Sequence, residues 1–119
     1  RIGDSPVIGA GTYADNNSCA VSCTGHGEYF IRHAVAFDVC ARYKYLKESV
    51  EKAADYIIHT ELNTNAGNGG LIAVDKLGNI AMPYNSGGMF RGFLYKEKGR
   101  PEIKKGCGIG KKIVVVGEK

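Results

Sequence analysis

The hydrophobic period of this chain changes twice, and those two changes limit its fold more than any other feature. From Glu28 to about Lys44 the apolar residues Phe30, Ala34, Phe37 and Ala41 recur at helical spacing. Ser49 then suits a helix N-cap, and Val50, Ala53, Ala54, Ile57 and Ile58 form one apolar stripe behind it. On both sides the pattern is that of strands. "PVIGAGTYAD" reads as a buried, closely packed strand, "ADNNS" as a turn and "CAVSCT" as a second strand. After the helices, "NTNAGNGG" reads as a loop, and "LIAVD", "KLGN" and "IAMPY" read as strand, tight turn and strand, a hairpin. "GGMFRGFLY" adds one more strand, with glycine at its start. Two strands, two helices, then two or three strands, without βαβ alternation, indicate an α+β fold with a mainly antiparallel sheet.

The 119 residues amount to one small domain or part of a larger one. No run approaches the roughly 20 apolar residues of a membrane helix, and the start carries no signal-peptide pattern. Cys19 and Cys23 share one strand, where four residues span roughly 13 Å, too far for a disulfide. No C-x-x-C pair occurs among the four cysteines. The expected state is four thiols, with Cys19, Cys23 and Cys40 buried as small hydrophobes, in a reducing, cytoplasmic setting. The net charge of +4 is unevenly spread. From Lys96 onward there are eight Lys/Arg and three Asp/Glu, and before it eight and nine. The basic character therefore belongs to residues 96–119, expected to form a solvated extension of a domain over residues 1–95. That distribution argues against a nucleic-acid surface on the main body.

Two short motifs could carry chemistry. "TGHGE", Thr24 to Glu28, lies where a strand ends and a helix begins. Backbone N–H groups free at a helix start stabilise an anion or a developing oxyanion. Thr24 adds a hydroxyl donor, and Gly25 and Gly27 let a substrate come close to the backbone. The same five residues also suit an ordinary strand-to-helix turn with a capping threonine. At the start, Arg1 offers a fork for a carboxylate, and Asp4 an anion for an ammonium. Together they match the two ends of a free amino acid, and they equally suit a simple salt bridge. His26 reads as a rim residue, with no serine or cysteine placed beside it. His33 and His59 have no metal-ligand spacing. "GCGIGKK" departs from a phosphate loop, because Lys112 stands where Ser or Thr is needed. No metal and no cofactor is expected.

"GDSPVIGAGTYAD" followed by "TGHGE", with "GGLIAVD" and "MPYNSGGMFR" later, resembles the plant-type L-asparaginases, also called isoaspartyl peptidases. These are N-terminal-nucleophile hydrolases. The resemblance runs from Arg1 to about Tyr95 in one order and with similar spacing. The related glycosylasparaginases share the first motif but usually carry aspartate at the position of Glu28. The resemblance implies that the chain is most of a C-terminal β subunit, part of a four-layer αββα sandwich. An α subunit would supply the remaining layers, and two such αβ heterodimers would pair. The implied substrates are L-asparagine and β-aspartyl dipeptides. Carried over by motif, Arg1 grips the substrate α-carboxylate, and Asp4 with the Gly27 carbonyl holds the α-ammonium. The Thr24 hydroxyl and the Gly25 N–H form the oxyanion hole. The family's threonine nucleophile stands a few tens of residues before the R-x-G-D motif, so it is expected outside this chain. Thr12 does not replace it, and the 119 residues alone are expected to be inactive. The competing reading is an inactive relative that binds an amino acid and does no chemistry.

Overall fold

The computed structural model describes residues 3–62, 67–96, 103–108 and 114–117. The chain divides into two units, Arg1–Ser86 and Gly87–Lys119. In the first, β1 (Thr12–Ala14), β2 (Cys19–Gly25), β3 (Gly69–Asp75) and β4 (Ile80–Ala81) form one sheet in the order β1-β2-β3-β4. Every neighbouring pair is antiparallel. Between β2 and β3 run the helices α1 (Gly27–Arg32), α2 (Val35–Tyr45) and α3 (Val50–Tyr56), the last continuing as a π-helix over Ile57–Leu62. The expected α+β class with an antiparallel sheet is what the chain adopts.

The helices cover one face of the sheet. Along β2 burial alternates, with Cys19, Val21 and Cys23 inward, and Leu71 and Ala73 of β3 join them. Against this face pack Phe30, Val35, Val39, Val50, Ile57, Ile58 and Leu62, all essentially inaccessible to solvent. The stripe expected behind Ser49 is buried in full, at Val50, Ala53, Ala54, Ile57 and Ile58. Ser49 caps it, its Oγ accepting from the Lys52 N–H at 3.1 Å. The β3–β4 hairpin forms where expected. Its turn is built on the buried Asp75, which accepts from the backbone N–H groups of Leu77 and Asn79 and from the Asn79 side chain. Cys19, Cys23 and Cys40 are buried free thiols and Cys107 is exposed, as the sequence suggested.

Two expectations are corrected. The single helix from Glu28 to Lys44 is broken at Ala34, whose φ of 46° is left-handed. The break lets the start of α2 turn onto the loop before β1. There Phe37 N–H donates to the Gly9 carbonyl and Ala36 N–H to the Ala10 carbonyl, at 2.9 and 3.0 Å. It also shifts the helical phase. The residues that α2 buries are Val35, Ala36, Val39 and Cys40, whereas Phe37 stays 44% exposed and packs edge-on against Tyr13. The second correction concerns "PVIGAGTYAD". Only Thr12–Ala14 is strand. Residues 6–11 turn instead, held by Val7 N–H to the Asp4 carbonyl and by the Ala10 and Gly11 N–H groups to the Val7 carbonyl. Ile8 is 81% exposed. Local turn bonds and the capping of α2 use the polar backbone groups that a strand would have needed.

In the second unit β5 (Arg91–Lys96), β6 (Ile103–Gly108) and β7 (Val114–Gly117) form a three-stranded antiparallel sheet in that order. Two of its strands come from the basic stretch. β6 (IKKGCG) has adjacent lysines and two glycines, with no period-2 alternation that would mark it as a strand from sequence, and β7 (VVVG) is only a short apolar run.

Candidate functional site

Thr24, Gly25 and Gly27 meet where β2 runs out into α1. Gly25 is the last residue of the strand and Gly27 the first of the helix. His26 between them has extended backbone and makes no side-chain cap. The position of this turn is fixed from the β3 side. His26 N–H donates to the Asn68 carbonyl at 3.0 Å, and Gly25 pairs with Gly69 across the ladder. Those two glycines have φ of +145° and +156°. A Cβ on Gly25 would lie 2.3 Å from the Asn68 carbonyl oxygen, and one on Gly69 2.2 Å from that of Thr24. No side chain fits at either position.

Asp4 comes to the same place from the other end of the sequence. It is 2% exposed. A Cβ on Gly27 would lie 2.9 Å from Asp4 Oδ1, and one on Gly11 2.7 Å from Oδ2, so the carboxylate is seated between two glycines. Oδ2 is buried and has no hydrogen-bond partner among the described residues. A buried, unmatched carboxylate oxygen is costly, and a cation donor relieves that cost. The charge is felt next door: burial first, and the Asp4 carboxylate second, push the Cys23 thiol up to about 12. Cys19 is also pushed up, by contact with the Cys40 thiol and by burial, and Cys40 Sγ donates to the Cys19 carbonyl. Neither thiol is set up as a nucleophile.

The structure thus brings four of the five sequence-derived candidates to one turn. The fifth, Arg1, lies outside the described residues. Thr24 is exposed on the sheet face away from the helices, whereas Asp4 reaches the turn beside Gly27. His26 is exposed and its ring lies tilted against that of Tyr29. Sequence reasoning missed Gly11, read only as part of a strand, though the G-x-G spacing of Gly9 and Gly11 is a signal for close backbone approach. Among the described residues no group of three potential metal ligands gathers, and no helix is long and apolar enough to cross a membrane.

The sheet face that carries Thr24 has a marked character. Thr12, Ala14, Ala20, Ser22, Ile72, Val74 and Ile80 share it by register. Ile72 and Val74 are 49% and 46% exposed. None of these side chains is charged. An antiparallel sheet facing water alternates apolar with charged or strongly polar residues, and this face does not.

Comparison with known proteins gives consistent results. A family model described as asparaginase matches residues 1–103. An isoaspartyl peptidase of Salmonella typhimurium is 50% identical over 95 residues, 80% of this chain and 30% of that protein. One from Escherichia coli is 45% identical over 109 residues, 83% of this chain and 34% of that protein. A probable isoaspartyl peptidase/L-asparaginase 2 of Arabidopsis thaliana is 51% identical over 92 residues, 77% and 27% respectively. The chain spans about a third of the length of these relatives.

Proposed function

The chain belongs to the asparaginase family, and from that premise we propose that it is the β-subunit portion of an amidohydrolase acting on L-asparagine and β-aspartyl dipeptides. The observation that carries the proposal is the seat of Asp4. A buried carboxylate with an oxygen unmatched among the described residues, packed against Gly27 of a T-G-x-G turn, suits the α-ammonium of an amino acid. In this reading Asp4 and the Gly27 carbonyl hold the ammonium, and Arg1 grips the α-carboxylate. The relatives' names, isoaspartyl peptidase and L-asparaginase, favour a side-chain amide as the bond cleaved.

The chemistry follows from where charge develops. A threonine supplied from outside these residues adds its hydroxyl oxygen to the side-chain carbonyl, and the hydroxyl proton passes to that threonine's own α-amine. The carbonyl oxygen becomes an oxyanion, stabilised by the Thr24 hydroxyl and the Gly25 N–H. The amide C–N bond then breaks, the leaving amine takes the proton, and an aspartyl ester forms. Water hydrolyses the ester to aspartate. The Thr24 hydroxyl emerges on the uncharged sheet face, so the reacting amide would lie above that face. A second sheet packed there, from the α subunit, would complete a four-layer αββα sandwich and enclose the site. Two such heterodimers would pair, in the cytoplasm. Residues 1–95 would form the family domain and 96–119 an extension of it.

The test is ammonia release from L-asparagine, and amino-acid release from a β-aspartyl dipeptide, by the protein that contains both the threonine and these residues. Arg1→Ala in that protein is expected to weaken substrate binding by about 2–5 kcal/mol, as for loss of one partner of a buried charge pair. An unchanged KM overturns the clamp. Hydrolysis by the 119 residues alone overturns the account of the nucleophile.

A further inference from the structure

Asn85 stands at the end of the hairpin, outside the groups assigned above, yet its side chain makes three bonds to fixed backbone. Its Oδ1 accepts from the Gly69 N–H at 2.7 Å. Its Nδ2 donates to the Gly67 carbonyl at 3.0 Å and to the Ile58 carbonyl at 3.3 Å. Its own N–H donates to the Gly69 carbonyl at 2.9 Å. One half-buried amide therefore ties the π-helix to the first residues of β3. Ile58 lies in a π-helical turn, and Gly67 precedes the strand.

The segment it fixes, Gly67–Asn68–Gly69, is the same one against which the T-G-H-G turn is held. The Asn68 carbonyl takes the His26 N–H, and Gly69 meets Gly25 at a separation that admits no side chain. A movement of this segment by a few tenths of an ångström must carry Gly25 and Thr24 with it. Asp4 is held differently, between Gly27 and Gly11. The geometry points to Asn85 as a positioning residue for the oxyanion donors Thr24 and Gly25, acting through the Gly67–Gly69 segment. This rests on the amidohydrolase reading above. Asn85 acts most directly on Gly25, which is paired with Gly69, whereas the Asp4 carboxylate of the ammonium seat also rests on Gly11, just before β1.

Oxyanion donors act on charge that exists only in the transition state, so their displacement lowers kcat and leaves KM nearly unchanged. Asn85→Ala in the full protein is expected to lower kcat about 10- to 100-fold, with KM within about threefold. Asn85→Asp is nearly the same shape. It keeps the acceptor for Gly69 N–H but sets a carboxylate against the Ile58 and Gly67 carbonyls. Its kcat is expected to fall at neutral pH and to recover relative to the unaltered protein as pH falls and the carboxylate gains a proton, restoring one donor. A role in stability alone predicts active-site kinetics that match the folded fraction, measured by circular dichroism on the same samples. A loss of kcat that exceeds the unfolded fraction supports the proposal. An unchanged kcat per folded molecule in both variants, or a loss confined to KM, overturns it. If Asn85→Ala does not fold, the acid recovery of Asn85→Asp decides alone, and a flat pH ratio overturns the proposal. If the unaltered protein hydrolyses neither substrate, the functional reading has failed instead.

Discussion

Asp4 explains why the motif residues are what they are. Its carboxylate is seated against two residues that have no side chain, so Gly27 is required by space, apart from any part it plays in the proposed substrate binding. Gly27→Ala would put a methyl 2.9 Å from Oδ1 and 3.1 Å from the Asp4 nitrogen. Overpacking of that kind costs about 1–3 kcal/mol. The expected outcome is a rise in KM from displacement of the ammonium seat, with a lower melting temperature, read by steady-state kinetics and thermal denaturation. A second residue-scale expectation concerns Asp38. It lies beside Arg42, which also approaches Glu48 and Glu61. Burial, helped by the Glu61 and Glu48 charges, raises the Asp38 pKa above 3.8 in spite of Arg42 and His33. A raised carboxylate pKa means that the folded state binds the proton more tightly. The associated stability is present below 3.8 and is lost as pH rises through the folded value. Asp38→Asn removes that loss. Its unfolding free energy is expected to equal or exceed that of the unaltered protein at pH 7, and to change less between pH 4 and 6, in denaturant titrations. A clear destabilisation at pH 7 would show that the ion pair outweighs burial. Asp4 and Thr24 could be singled out from sequence as candidates because motif and chemistry pointed to the same residues. Asn85 was not, because an asparagine after a strand is an ordinary turn residue until the carbonyls it meets are known.

Secondary structure followed the sequence wherever one face met one core. The stripe behind Ser49 is such a case: capping, period and burial all agree. The segment from Glu28 to Lys44 is the opposite case. Its composition suits an unbroken helix, yet Ala34 takes a left-handed conformation that costs an L-residue roughly 1–2 kcal/mol. The break is retained because the start of α2 can then donate to the Gly9 and Ala10 carbonyls, which would otherwise lack partners. Glycine at position 34 carries no such penalty, and Ala34 is exposed, so Ala34→Gly removes little packing. It is expected to raise stability by up to about 1 kcal/mol in chemical denaturation, with activity unchanged. A loss of stability of that size would mean that the backbone at Ala34 is set by something other than the loop it serves.

At the scale of the whole molecule the open sheet face is the decisive feature. Thr12, Ala20, Ser22, Ile72 and Val74 carry no charge, although they point away from the helices. If the proposed second sheet packs there, Val74→Glu buries a carboxylate beneath it, at a cost of several kcal/mol when unpaired. In co-expression with the α subunit it is expected to abolish copurification, whereas Glu51→Gln on the exposed side of α3 leaves copurification unchanged. Full recovery of an active Val74→Glu complex would remove the second sheet from the proposal. By itself the sequence determined the α+β class, the apolar stripe of α3, the hairpin, the buried thiols and the motif residues of the turn. Each depends on a local period or on residues within a few positions of one another. Only the tertiary structure decided the break at Ala34, the turns before β1, the glycine seat of Asp4 and the clamp of Asn85. The seat of Asp4 is settled by where Gly11 and Gly27 come together in space, and the other three by backbone carbonyls and N–H groups, of which the carbonyls of Gly9, Ala10, Ile58 and Gly67 meet donors from distant positions. Those groups are the same in every residue, so the order of side chains does not reveal which of them will find a partner.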